Sequence, residues 1–294
     1  MKKSPIVGCM RWGVWGENFT TKQYETIIEQ CLSIGLNIFD HADIYGHYTT
    51  EADFGQALKN NSSLRQQMKL ITKCGINMLT PNRPEHSIKS YNTSAEHIKK
   101  SVETSLRNFH TDYIDTLLIH RPDLLLNPEE IAKTITELKS SGKLKSFGVS
   151  NFNTHQVSTL SKYIKIEHHQ VEISVTRLNS FEDGVLDQCQ QLEIEAQSWS
   201  PLGNGLFSGG NNEGSAEHKN KRILKTVQEL ADKYSTGATE ILLAFLYIHP
   251  AQIAPVIGTT KFERIVSAKK AMEIDITRED FYKLIEASTG HEVA

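Results

Sequence analysis

Short apolar runs alternate with amphipathic segments along nearly the whole chain. The apolar runs predict strands over Ile6–Cys9, Asn37–Asp40, Lys69–Cys74, Tyr113–His120, Ser146–Val149, His169–Ile173, Ile194–Ser198 and Ile253–Ile257. Helical spacing falls between them, over Lys22–Ile34, Glu51–Lys59, Ala95–Phe109, Pro128–Ser141, Thr154–Tyr163, Gly184–Leu192, Lys219–Tyr234 with Ala238–Ile248, and Phe262–Ala271. The strand runs are continuously apolar, as in Leu117-Leu118-Ile119, which is the pattern of strands covered on both faces. Intervening helices make parallel crossovers the natural connection.

Eight strand–helix units in 294 residues predict an α/β fold: a single (β/α)8 TIM barrel, typically roughly 250 residues, with its active site at the C-terminal rim. An open doubly wound sheet would carry a phosphate-binding glycine turn after its first strand, where this chain has Cys9-Met10-Arg11-Trp12-Gly13. No linker or composition shift divides residues 1–294, so one domain is expected. Two connections are long, Ile76–Thr93 and Leu202–Glu217, and both follow strand C-termini. The second contains Gly203-Asn204-Gly205-Leu206-Phe207-Ser208-Gly209-Gly210, which reads as a mobile flap or phosphate-covering loop.

The net charge of −3 and the absence of a basic cluster larger than a pair argue against a nucleic-acid partner. No run approaches the ~18 apolar residues of a membrane span, and no leader follows Met1, so a cytoplasmic protein without a membrane partner is expected. Cys9, Cys31, Cys74 and Cys189 are widely spaced, which predicts reduced, mostly buried thiols and no metal site. His168 and His169 are adjacent on a strand and point to opposite faces, so they do not share a ligand.

Three successive strands end in an ionisable group: Asp40, Lys73 and His120. On a barrel these ends are neighbours on one rim, and Tyr45 follows Asp40 in Asp40-His41-Ala42-Asp43-Ile44-Tyr45-Gly46. Taken singly, each has a bland reading as a cap, rim lysine, core histidine or packing aromatic. Together they suit proton donation to a carbonyl oxygen. A lysine cation stabilises the phenolate of a tyrosine, an aspartate holds the lysine charged, and a histidine orients the oxygen. The set has no hydride source, which a cofactor must bring.

This constellation resembles the aldo-keto reductase family over essentially the full length. The D-x-A-x-x-Y-G element is present, and Lys73 and His120 fall at the family's other two catalytic positions. The resemblance implies a nicotinamide cofactor across the C-terminal rim and reduction of an aldehyde or ketone carbonyl on a small-molecule substrate. Gly148-Val149-Ser150-Asn151-Phe152 and Gln170 resemble the segments that bind the nicotinamide carboxamide through Ser150, Asn151 and Gln170. Trp199-Ser200-Pro201-Leu202-Gly203 resembles the segment whose leading aromatic stacks on the ring, implying contacts from Trp199, Ser200 and Leu202. Gly258, Thr259, Thr260, Lys261 and Arg264 resemble the loop and helix start that grip an adenosine 2′-phosphate, which implies NADPH over NADH.

The chain also departs from that pattern. Gly258 stands where many relatives have lysine, and Ser267 and Ala268 replace polar residues that often contact adenine. Few residues precede the first strand, so the bottom of the barrel is expected to close without the hairpin of many relatives. The short tail, with one predicted helix at Arg278–Ala287, makes Trp12, Trp15 and the 76–93 loop the expected pocket walls. Two other readings stay open: a regulatory, cofactor-sensing subunit of the channel β-subunit type, and an aldolase-type barrel with a Schiff base on Lys73. The physiological substrate and the oligomeric state are not readable from the sequence.

Overall fold

A computed structural model describes residues 2–204, 206 and 215–293. Its barrel strands are β1 (Ile6–Gly8), β2 (Ile38–Asp40), β3 (Lys69–Cys74), β4 (Ile114–Ile119), β5 (Leu144–Ser150), β6 (His168–Glu172), β7 (Glu195–Trp199) and β8 (Ala254–Ile257). They form a closed parallel barrel in the order β1-β8-β7-β6-β5-β4-β3-β2. Helices stand between the strands, as the alternating periods predict: α1 (Thr21–Ser33), α2 (Thr50–Asn60), α3 (Ala95–Asn108), α4 (Pro128–Ser140), α5 (Thr154–Ser161), α6 (Val185–Gln191), α7 (Ser215–Lys233), α8 (Ala238–Tyr247), α9 (Phe262–Lys270) and α10 (Arg278–Thr289).

The long connection after β3 is not featureless. Ile76–Asn77 and Ser90–Tyr91 pair as a short antiparallel hairpin. Two-residue strands are too short to show a hydrophobic period, so the sequence gives no sign of them. Of the glycine-rich connection after β7, residues 205 and 207–214 lie outside the described residues.

The chain divides into two compact units. One comprises Ile6–Gln170 and Gly258–Phe262; the other comprises Met1–Pro5, Val171–Ile257 and Glu263–Ala294. In the first, the side chains of Ile6, Phe39, Leu70, Leu118 and Phe147 are fully buried, as strands covered on both faces require. The register that carries the site is locked at the strand starts. Arg65 donates to Asp115 Oδ2 (2.7 Å), Tyr113 O (2.9 Å) and Met68 O (3.0 Å), while Leu70 N donates to the same Asp115 oxygen (3.0 Å). With Asp115 on β4 bonded to Leu70 on β3, Lys73 is paired with Leu118. Helix starts are capped from the sequence: Thr20 and Asn153 form capping boxes, and Asn127 caps α4 ahead of Pro128.

In the second unit, β7 and β8 pair with Val256 opposite Trp199. Helix α8 is apolar and buried from Glu240 through Tyr247. The N-terminal segment is tied there by Lys2, whose ammonium donates to Met272 O (3.0 Å), Ile274 O (2.7 Å) and Asp275 Oδ1 (2.7 Å). All four cysteines are buried and free. No helix among the described residues is long and apolar enough to cross a membrane.

Candidate active site

Strand β2 ends at Asp40, and Lys73 is the fifth residue of β3, so both side chains enter the structure from neighbouring parallel strands. Lys73 is 1% exposed and Asp40 2%. The Lys73 ammonium donates to Asp40 Oδ1 (2.8 Å) and Oδ2 (2.7 Å), to His41 O (2.7 Å), and to Tyr45 Oη (3.2 Å). Its donors are thus spent on a carboxylate, a carbonyl and a phenol. Removing either charge from such a pair would strand the other at a cost of about 3–5 kcal/mol.

The electrostatics follow from burial and this contact set. Burial opposes the Lys73 charge, but Asp40 and then Tyr45 outweigh it, and its pKa stands above the ordinary lysine value. Burial pushes the Tyr45 phenol up and Lys73 pulls it down, with a balance above the ordinary tyrosine value. The Lys73 ammonium favours the phenolate form. In the structure it only partly offsets desolvation, because Tyr45 is buried and faces Asp40 as well.

His120 follows the last residue of β4, and its ring centroid is 6.1 Å from that of Tyr45, edge-on. Burial, then Lys73, Arg121 and Lys89, hold its pKa well below the ordinary value, so the imidazole is neutral. Its Nδ1 is buried and has no protein hydrogen-bond partner.

The amide residues read from the sequence lie in the same unit. Ser150 Oγ donates to Gln170 O (2.8 Å), and Asn151, with φ of 62°, donates from Nδ2 to Ser150 Oγ (2.8 Å) and His120 O (3.2 Å). Gln170 Nε2 donates to Asp40 Oδ1 (3.0 Å), a link to the acidic group that no spacing revealed, since 130 positions separate the two. Glu51, another buried carboxylate that sequence reasoning passed over, accepts from Thr72 Oγ1 (2.6 Å), Ser105 Oγ (2.9 Å) and Asn108 Nδ2 (3.1 Å). It thereby ties β3 to α3 one residue before Lys73.

Thr259 O accepts from Trp12 Nε1 (3.4 Å), Thr260 Oγ1 donates to Glu17 Oε1 (3.5 Å), and Lys261 N donates to Thr259 Oγ1 (3.2 Å). Gly258 is exposed, and a Cβ built there meets no atom within 4 Å. Ser150, Asn151 and Gln170 are polar groups of the kind that would suit the carboxamide of a dinucleotide, and the space beside Gly258 is open.

In the other unit, Trp199 ends β7 half-buried, Ser200 follows with φ of 51°, and Leu202 is half-buried. Arg264 stands exposed in the first turn of α9. One expected pocket wall is overturned: Trp12 is fully buried, within 6.2 Å of Phe19, Tyr24, Phe39 and Phe54, and is a core residue. Trp15 does stand by the site, 6.1 Å from the Tyr45 ring.

The chain is similar to known proteins over most of its length. The family model "Aldo/keto reductase family" matches residues 6–288. The chain is 40% identical over 291 residues to an uncharacterised oxidoreductase, YcsN, of Bacillus subtilis (strain 168), covering 98% of this chain and 95% of that protein. It is 38% identical over 290 residues to a 6-dehydroglucose reductase of Agrobacterium fabrum, covering 96% and 95%. The solved structure of a glycerol dehydrogenase from Gluconobacter oxydans superposes with a TM-score of 0.86 at 20% identity, over 99% of this chain and 92% of that one, a likeness of fold.

Proposed function

The chain belongs to the aldo/keto reductase family, and from that premise we propose that it reduces aldehyde or ketone carbonyls to alcohols with NADPH, Tyr45 acting as the general acid. The observation that carries the proposal is the position of the Lys73 ammonium, 2.7 Å from Asp40 Oδ2 and 3.2 Å from Tyr45 Oη. Asp40 keeps the lysine charged and aimed, and the lysine stabilises the phenolate that forms as the proton leaves.

A nicotinamide cofactor, when bound, would supply the hydride. The substrate oxygen lies against Tyr45 Oη and the neutral His120 ring, both offering hydrogen bonds to the charge that develops there. Reduction needs Tyr45 protonated, and its raised pKa keeps the proton in place throughout the neutral range. Reduction is therefore lost as pH rises through that value, and alcohol oxidation, which needs the phenolate as base, gains over the same window.

Ser150, Asn151 and Gln170 are the candidate carboxamide contacts, Trp199 the candidate stacking partner, and Ser200 and Leu202 the candidate contacts beside it. Gly258, Thr259, Thr260, Lys261 and Arg264 are the candidates for the 2′-phosphate end. The same reading treats residues 1–294 as one domain acting in the cytoplasm on a small molecule, without a nucleic-acid partner. The name of the Agrobacterium relative makes a sugar aldehyde the first substrate to try. Relatives named as oxidoreductases do not favour the channel-subunit alternative. The test is Tyr45→Phe, with NADPH oxidation followed against a reactive aldehyde. Turnover close to that of the unaltered protein would overturn the proposed acid.

A further inference from the structure

Directly after Tyr45 the backbone enters the left-handed region and stays there: φ is 58° at Gly46, 58° at His47 and 71° at Tyr48. Glycine adopts this readily and histidine more often than most residues, but a bulky tyrosine does so only when its surroundings impose it. Thr49 Oγ1 donates to Gly46 O (2.9 Å), a local bond that does not reach the other two residues.

Backbone bonds from Tyr48 N to Ile44 O (3.3 Å) and from Thr49 N to Tyr45 O (3.2 Å) close the turn locally, and the segment following β3 adds side-chain contacts to His47 and Tyr48. The Tyr48 hydroxyl donates to Ile76 O (3.1 Å) and accepts from Met78 N (3.1 Å), so both its functions are used on the edge of the short hairpin. Asn82 Nδ2 donates to His47 O (2.8 Å), and the Arg83 guanidinium lies 4.4 Å above the Tyr48 ring. Ala42, Ile44, Tyr45 and Ile76 form one buried cluster, with Trp15, Tyr48 and Met78 packed against it. The hairpin edge thus grips the turn and also packs on the residues around Tyr45.

We propose that Tyr48 is a positioning residue for Tyr45: its hydroxyl, seconded by Asn82, holds the turn 46–48 in its left-handed form and so sets the approach of the Tyr45 phenol to Lys73. That approach is 3.2 Å, already the longest of the Lys73 hydrogen bonds, and a further ångström would take the phenol out of hydrogen-bond range. The titratable groups facing Tyr45 are Lys73 from β3, Asp40 from β2, His120 after β4 and Cys9 after β1. Lys73 alone lowers the energy of the phenolate by its charge, so retreat from it moves the Tyr45 titration upward.

The inference deepens the acid role assigned to Tyr45, and its test has one arm that needs no turnover. Tyr48→Phe keeps the ring and removes the clamp. The Tyr45 titration is read as the difference in near-ultraviolet tyrosinate absorbance between each protein and its Tyr45→Phe counterpart. The expected results for Tyr48→Phe are an upward shift of that titration and a fall in kcat of between about ten- and a hundredfold, with the KM for NADPH unchanged. Asn82→Ala should move both in the same direction by less. Adding His47→Gly to Tyr48→Phe, which removes one residue's resistance to the left-handed form, should recover part of both. A clamp that merely anchors the hairpin would lower Tm in Tyr48→Phe and leave the titration and kcat where they were, and that result overturns the proposal. Should Tyr48→Phe not fold, an unshifted titration in Asn82→Ala overturns it equally. Turnover surviving in Tyr45→Phe while Tyr48→Phe still shifts the titration would sink the acid role and leave the positioning role standing.

Discussion

Two places in this molecule combine a buried aspartate with a lysine and a tyrosine, and they do different things with them. At the first, Lys73 stands between Asp40 and Tyr45 and bonds to both, so the phenol meets a cation and keeps its own proton. At the second, Asp280 accepts directly from Tyr234 Oη (2.6 Å), Lys233 Nζ (2.6 Å) and Thr277 Oγ1 (2.8 Å) on one oxygen, and from Lys283 Nζ (3.2 Å) on the other. There the tyrosine's proton is committed to the carboxylate and both lysines are largely exposed, at 49% and 56%. Burial pushes Asp280 up, but its hydrogen bonds outweigh burial and hold its pKa well below the ordinary carboxylate range. The same three residue types give the proposed proton relay where the cation is central, and a tie between the end of α7 and the start of α10 where the anion is.

The strongest way to break the comparison is to remove the phenol oxygen at each place. Tyr45→Phe should lower kcat for aldehyde reduction by about 10²–10⁴-fold, the usual worth of a positioned general acid, with Tm almost unmoved. Tyr234→Phe should leave kcat as it is. A loss of turnover in Tyr234→Phe at full folding would mean that the second cluster is not merely structural.

Removing the lysine comes next. Lys73→Met leaves Asp40 buried without its cation, and about 3–5 kcal/mol of stability should disappear along with the activity, read by chemical denaturation. Gln170 Nε2 and its bond to Asp40 Oδ1 offset only part of that loss. Lys233→Met should keep both activity and fold, because Lys233 is half exposed and Lys283 still reaches Asp280.

The contrast between the two places was only half legible in the sequence. Asp40, Lys73 and His120 stand out because each ends an apolar run buried on both faces, and the strands that carry them match the predicted ones to within a residue: Lys69–Cys74 is unchanged, and Tyr113–His120 becomes Ile114–Ile119. Asp280 carries no such signal. It sits at the start of a helix whose Thr277 cap looks ordinary, and two of its partners, Lys233 and Tyr234, come from the end of another helix. The Gln170 bond to Asp40 and the hairpin at 76–91 escaped for a related reason. Both depend on contacts between distant segments, whereas periodicity reports only on neighbours along the chain. Gly46 announces a turn, but nothing in a histidine and a tyrosine announces that they share its left-handed conformation.

Acid tests the second carboxylate. Because the folded-state pKa of Asp280 is depressed, its contribution to stability is fully present above the unfolded-state value of about 4 and is lost as pH falls through and below it. Asp280→Asn should therefore cost about 2–3 kcal/mol at neutral pH, the range for hydrogen bonds to a charged group. That difference from the parent should shrink toward zero in urea titrations repeated at falling pH. A penalty that stays constant into acid would show that shape, not charge, holds the tie.

The smallest expected effects are the stability changes in Tyr234→Phe and Tyr45→Phe, and they test the geometry most directly. Tyr234 Oη donates to Asp280 at 2.6 Å and accepts from Thr277 N at 3.0 Å, so its removal deletes two bonds and leaves a backbone amide that reaches solvent. Asp280 retains Lys233, Lys283 and Thr277 Oγ1, so no buried charge is stranded. A loss of about 1 kcal/mol follows, the worth of an ordinary hydrogen bond whose partners find replacements. Tyr45→Phe deletes one long bond to a lysine that keeps three other contacts, and it should cost less still. If Tyr45→Phe proves the more destabilising of the two, the phenol supports the Lys73 charge in the resting fold as well as receiving its help.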